Sequence, residues 1–368
     1  MKRIKSSIAL LLALIMLLSA FSGGAGAAAS HFSSDAYATI VTASDFQASG
    51  TQASDRFEKI LTLMKNDGMQ TPCSVLVGGD YTKILFDYAS PYIVLIRNRL
   101  LSVYPDAKEN SVVCIQGNHD NPVAGFAGTG LYDMGAYYLY CLNEDAFPWN
   151  QHLRTETGVR SSAEELKKSL DKVITANDGR PVVIMTHVPL HHSSRSGFGD
   201  NRYASLIFNV INKAAEQLDI VFIFGHNHSG TFDDYIGGSV NFMAPGETIR
   251  IPLADKMGED CYTEETLNFT YTNCGYVGYA NNSETETSTG KLTVGAIQLE
   301  KDKLVFVRYA EDGFLRSDTV SRINAGTYDS KVSFDEPIAS NLSLWKTEEK
   351  IIKAVFRFLN SINIITFR

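Results

Sequence analysis

SVVCIQGNHD, residues 111–120, begins as an apolar run and stops abruptly on a polar tetrapeptide, Gly117-Asn118-His119-Asp120. A short apolar run bounded by turn-forming residues reads as a buried strand. The same punctuation recurs along the chain. YATIVTASD ends at Asp45, CSVLVGGD (73–80) at Asp80, RPVVIMTH (180–187) at His187, and DIVFIFGHNH (219–228) at His226-Asn227-His228. The chain holds eight histidines, and four of them, His119, His187, His226 and His228, fall at these ends.

Helical patterns separate the strands. Phe57, Ile60, Leu61 and Met64 lie on one face of a helix predicted over about 53–66. Further helices are predicted over about 84–103, 162–176 and 203–217, with Ser162 and Glu165 resembling a capping box at the start of the third. Residues 121–160 are rich in Gly, Tyr and Asn without clear period and read as a cap or rim insertion, with packing as the alternative for Tyr137, Tyr138, Trp149 and His152. After residue 230 the texture changes to strands alone, near 239–245, 269–279, 291–299 and 303–310, which read as antiparallel. Alternating strands and helices followed by strands indicate an α/β sandwich. In open α/β sheets ligands gather beyond the carboxyl ends of the strands, so the five polar ends are expected to converge.

The 368 residues are 44% hydrophobic and 20% charged, as in an ordinary folded protein. A net charge of −8 gives no reason to expect a nucleic-acid-binding surface, and an anionic substrate would need local help such as a metal ion. Residues 1–29 read as a signal peptide: Lys2, Arg3 and Lys5, then an apolar run from Ile8 to Leu18, then small residues suited to cleavage near Ala27–Ala29. The reading is therefore of a secreted or extracytoplasmic protein with its main domain over 30–330. The five cysteines form no CxxC pair; Cys261–Cys274 is the first disulfide to test, and Cys73 and Cys114 read as buried thiols. In the tail, 331–368, residues 345–368 read as an amphipathic helix, which either packs on its own domain or makes peripheral membrane contact.

The strand ends together resemble the calcineurin-like metallophosphoesterases, whose motifs run D-x-H, G-D, G-N-H-[DE], H and G-H-x-H. Here they stand as Asp45-Phe46-Gln47, Gly79-Asp80, Gly117-Asn118-His119-Asp120, His187 and Gly225-His226-Asn227-His228. The resemblance implies a four-layer α/β/β/α sandwich of two mixed sheets flanked by helices. It also implies two divalent metal ions and a phosphoester substrate. One metal would take Asp45, Gln47, Asp80 and His228, the other Asp80, Asn118, His187 and His226. A metal-bridging hydroxide would attack in line, with His119 stabilising the transition state or protonating the leaving oxygen. Asp120 would orient nearby groups, and His191, His192 and Arg195, just past His187, are candidates for contact with the substrate.

Gln47 is the one departure from the family's core motifs. Mixed nitrogen and oxygen donors suit Mn, Fe, Zn, Co or Ni, and an amide oxygen in place of imidazole tilts the first site toward Mn or Mg. Tyr81-Thr82-Lys83 after Asp80 disfavours the Ser/Thr protein phosphatases, which carry Asp-Arg-Gly near there. The function expected is an exported phosphomonoesterase or phosphodiesterase. Alternatives are a nucleotide pyrophosphatase or cyclic-nucleotide phosphodiesterase and, in another class, a catalytically silent metal-bearing binding protein.

Overall fold

The computed structural model describes residues 30–47, 51–82, 89–120, 125–143, 155–191, 203–226, 242–252, 262–278 and 292–324. The chain divides into two compact units, Met1–His31 and Phe32–Arg368, and all of the secondary structure described belongs to the second.

Two six-stranded mixed sheets dominate. The first contains β1 (Ala38–Ala43), β2 (Ser74–Val77), β3 (Val112–Cys114), β12 (Thr293–Leu299), β13 (Lys303–Ala310) and β14 (Gly313–Ser321), in the order β14-β13-β12-β1-β2-β3. The second contains β4 (Gly130–Asp133), β5 (Tyr138–Leu142), β6 (Val182–Thr186), β7 (Ile220–Phe224), β8 (Phe242–Met243) and β11 (Thr270–Asn273), in the order β4-β5-β6-β7-β11-β8. A separate hairpin pairs β9 (Thr248–Pro252) with β10 (Tyr262–Thr266).

Alternation along the strands builds three apolar layers, because successive side chains point to opposite faces of a sheet. Val75 and Val77 of β2 face α1 (Gln52–Asn66) and α2 (Ser90–Val103), whereas Leu76 faces the second sheet. On β7, Phe222 and Phe224 face α3 (Glu156–Ala176) and α4 (Ala204–Ala214), whereas Val221 and Ile223 face back toward the first sheet. The result is the four-layer α/β/β/α sandwich. The helices dock by stripes at three- and four-residue spacing, such as Phe57, Ile60, Leu61 and Met64 on α1, all fully buried. Each such side chain contributes roughly 1.5–3 kcal/mol of burial.

Several elements differ from their sequence reading. α3 begins at Glu156, not near 162: the Thr155 hydroxyl accepts the Gly158 N–H at 3.1 Å and caps the helix, leaving Ser162 inside it. Within 121–160, residues 130–133 and 138–142 are strands of the second sheet, the first partly exposed and the second buried, and Tyr137 and Tyr140 are fully buried. Trp149 and His152 lie outside the described residues, as does the tail 325–368. β11 pairs antiparallel with β8, as expected, but its other neighbour is β7, to which it runs parallel. Cys274, one half of the pair named first to test, is a buried free thiol; Cys261 lies outside the described residues, and Cys73, Cys114 and Cys141 are also free.

At the pole where β7 begins, Arg322 and Asp219 form a buried pair, Nε to Oδ2 3.1 Å, and Asp219 also accepts the Ile323 N–H at 2.7 Å. This contact ties the end of the first sheet to the start of β7. Removing one partner of a buried pair strands the other charge, so Asp219→Ala should cost about 3–5 kcal/mol of unfolding free energy. Denaturant titration reads this; a loss below about 1 kcal/mol would make the pair no stronger than a surface one.

Candidate metal centre

Parallel pairing aligns the strand ends. Ala43 pairs with Val77 and Val77 with Cys114 in the first sheet; Thr186 pairs with Phe224 in the second. The residues that follow these positions therefore form two facing rows at one edge of the sandwich. Asp45, Gln47, Asp80, Asn118, His119, His187 and His226 all meet there.

Two contacts bridge the sheets. His187 is fully buried, and its Nδ1 lies 2.6 Å from the Gly78 carbonyl. The His226 N–H donates to Asp45 Oδ2 at 2.9 Å. The backbone at these turns is unusual: among the described residues, six non-glycine positions have positive φ, and Asp45 (+51°), Gln47 (+40°), Asp80 (+58°) and His226 (+66°) are four of them. Such conformations cost of order 1–3 kcal/mol each and persist only where surrounding structure fixes them. The close approach of the turns also explains the glycines. Gly79 has φ +98°, and a Cβ there would lie 2.7 Å from the Gly117 backbone; a Cβ on Gly117 would overlap the Asp80 carboxylate.

The polar atoms converge. Asn118 Oδ1 lies 2.9 Å from both His187 Nε2 and His226 Nδ1, and Asp80 Oδ2 lies 3.4 Å from His187 Nε2. Ligand atoms of Asp45, Asp80 and His187 all fall within 4.8 Å of one another. A carbonyl only accepts, so the Gly78 contact places the His187 proton on Nδ1 and, in the neutral ring, leaves a lone pair on Nε2. That lone pair faces two oxygen acceptors, and Asp80 Oδ2 is buried with no hydrogen bond among the described residues. Converging acceptors of this kind fit a divalent cation, and the Nδ1 contact is the outer support that metal-ligating histidines use.

Burial alone would raise the Asp80 carboxyl; the neighbouring His187 and His119 imidazoles more than offset it and hold the group below the usual carboxylate range. Asp120 behaves oppositely, pushed up by burial and then by the charge of Asp80. Its carboxylate accepts the backbone N–H groups of Asp80 (2.8 Å), Tyr81 (2.9 Å) and Gly117 (2.9 Å), pinning the two turns together. His119 is different again. Its N–H donates to Asp80 Oδ1 at 2.9 Å, and its ring stays 27% exposed with Nε2 3.9 Å from Asp80 Oδ2.

His191 is not where the sequence suggested. It is buried, with Nδ1 2.8 Å from the Tyr271 hydroxyl and its ring packed on Phe224 and Tyr271, in the layer between the second sheet and its helices. The chain after His187 turns down onto that layer rather than outward, and His191 packs there instead of joining the converging strand-end residues. His192, Arg195 and His228 lie outside the described residues. Sequence reasoning also missed residues 274–278, which follow β11 and abut the Asp45 turn: Gly278 N–H donates to the Asp45 carbonyl at 2.9 Å. The available signal was the pair Gly275 and Gly278 just past an apolar run.

The family model described as calcineurin-like phosphoesterase matches residues 38–230, more than half of the chain. The chain belongs to this family: it is a metal-dependent phosphoesterase, a hydrolase acting on phosphoric ester bonds. No curated protein matches it. Solved structures resemble it at low identity. A dimetal phosphatase from Danio rerio is 12% identical, with a TM-score of 0.47, covering 78% of this chain and 100% of that one. GAP50, the anchor in the inner membrane complex of Plasmodium, is 10% identical with a TM-score of 0.43, covering 80% and 91%. A Vps29 single mutant from Entamoeba histolytica is 13% identical with a TM-score of 0.31, covering 77% and 98%.

Proposed function

We propose that the chain is an exported hydrolase of phosphomonoesters or phosphodiesters that holds two divalent cations. Asp80 is common to both; Asp45, Gln47 and His228 complete one site, and Asn118, His187 and His226 complete the other. The observation that carries this reading is the convergence of Asp80 Oδ2, Asn118 Oδ1 and His187 Nε2, acceptors that face one another in a buried place.

When bound, the cations supply Lewis-acid polarisation of the phosphoryl oxygens and lower the pKa of a water for in-line attack. The protein's own groups do the rest. Asp80 stays ionised because the imidazoles beside it favour its charge. Asp120 holds the Asp80 and Gly117 turns at fixed separation through its three backbone donors. His119, the most exposed ring of the described site, is placed to donate a proton to the departing oxygen.

A panel of chromogenic mono- and diesters with Mn²⁺, Mg²⁺ and Zn²⁺ tests the reading. Turnover of either ester class supports it. Metal loading without turnover of any ester identifies a silent metal-bearing protein instead.

Gln47 is buried at the site, and its backbone N–H donates to the Asp80 carbonyl at 2.9 Å. An amide oxygen is a harder donor than an imidazole nitrogen. Gln47→His should therefore tighten Zn²⁺ binding by roughly tenfold or more, about 1.4 kcal/mol, and move the activity optimum away from Mn²⁺. Unchanged affinities in metal titrations would remove Gln47 from the ligand set.

A further inference from the structure

The turn that carries Asp45 and Gln47 has left-handed backbone at both positions, so something outside it must hold it. The Gly79 and Asp80 carbonyls and the His226 N–H hold it from one side, and one further segment, outside the strand-end motifs, holds it from another. After β11, Cys274 N–H donates to the Phe224 carbonyl at 2.7 Å, and the chain then crosses beneath the end of β1. Val277 N–H donates to the Ser44 carbonyl at 3.2 Å and Gly278 N–H to the Asp45 carbonyl at 2.9 Å. A Cβ on Gly278 would overlap the carbonyl oxygens of both Asp45 and Phe46, so this approach is open only to glycine.

Two buried arginines grip the same segment from opposite ends. Arg308 of β13, 4% exposed, donates from Nη2 to the Asn273 carbonyl; Arg56 of α1, 7% exposed, donates from Nη1 to the Val277 carbonyl. Arg56 is itself held by Glu311, Nε to Oε2 2.9 Å. Hydrogen bonds from a charged donor are roughly twice as strong as neutral ones, so these are firm anchor points. The segment lies outside residues 38–230 and outside all five strand-end motifs.

We propose that residues 274–278, clamped by Arg308 and Arg56, are a positioning element for the Asp45–Gln47 turn and so set the affinity of the metal ion that this turn holds. The proposal rests on the two-cation reading. Supports behind metal ligands are typically worth about 10- to 100-fold in affinity. The element acts chiefly on one ion of the pair, because none of its contacts reaches Asn118, His187 or His226 directly, although the Asp45 carboxylate accepts the His226 N–H.

The test is Mn²⁺ titration of metal-stripped full-length protein, followed by the electron paramagnetic resonance of free Mn²⁺. Wild type should bind two ions; Gly278→Ala should weaken one of them about 10- to 100-fold and the other much less. Its turnover should fall at limiting Mn²⁺ and recover in excess Mn²⁺, which a general loss of structure would not do. Gly246→Ala, at a left-handed glycine in the turn after β8 with open space around it, strains the fold elsewhere and should leave both affinities unchanged. Should Gly278→Ala fail to fold, Arg56→Met carries the test, with the same selective weakening expected and partial recovery in Arg56→Lys. Two wild-type ions with equal affinities in Gly278→Ala, or equal weakening of both ions, overturn the positioning role while leaving the two-cation site standing. A wild type that binds no Mn²⁺ overturns the site itself.

Discussion

Asp80→Asn should leave a folded protein with turnover reduced by at least about 10³-fold, beyond the 10²–10³ usually lost with one stabilising hydrogen-bond donor. The side chain is 1% exposed, so shape matters, and Asn preserves it. Asn also tolerates the left-handed backbone at φ +58°. Its amide oxygen can still accept the His119 N–H that Asp80 Oδ1 accepts at 2.9 Å. What disappears is the charge and the second oxygen, which faces His187 Nε2 at 3.4 Å. A residue shared by two cations needs both oxygens, so metal content should drop below two per chain while the thermal unfolding midpoint stays close to wild type. Near-wild-type turnover in Asp80→Asn would place the chemistry elsewhere.

His119→Ala should separate catalysis from metal binding. The ring is 27% exposed and its Nε2 is 3.9 Å from Asp80 Oδ2, so it borders the site without belonging to the converging donors. Turnover should fall by about 10²–10⁴-fold, the usual range for a positioned general acid, with metal content unchanged. The loss should depend on the leaving group. Aryl esters with acidic phenols depart without protonation and should lose little; alkyl esters should lose most. A uniform loss across leaving groups would assign His119 to transition-state charge stabilisation, and loss of metal would make it a ligand.

Legibility in the sequence followed a physical division. The five strand ends could be read because an apolar run that stops on Asp, Asn or His changes character within two residues, as at Val77–Asp80 and Phe224–His226. Parallel strands align their carboxyl ends whatever lies between them, so chain order carried over into space. The parallel pairing of β11 with β7 was not legible, since Thr270–Asn273 has the same pattern in that pairing as in its antiparallel one with β8. That error hid residues 274–278, which reach the site only because β11 runs alongside β7. β4 and β5 were hidden by composition: Tyr138, Tyr140 and Cys141 are buried, but tyrosine serves surfaces and cores alike. The start of α3 was missed because Thr155 caps it from outside the periodic stretch. His191 misled through its neighbourhood in sequence, where proximity to His187 says nothing about which face of the second sheet the next turn enters.

Metal dependence is tested most directly by turnover of a chromogenic phosphodiester and monoester by the protein stripped of metal and then titrated with Mn²⁺. The stripped protein should show no turnover, and activity should rise to saturation at two Mn²⁺ per chain and be lost again on chelation. Hydrolysis that persists without metal, or metal loading to two ions with neither ester consumed, would contradict metal-dependent hydrolysis.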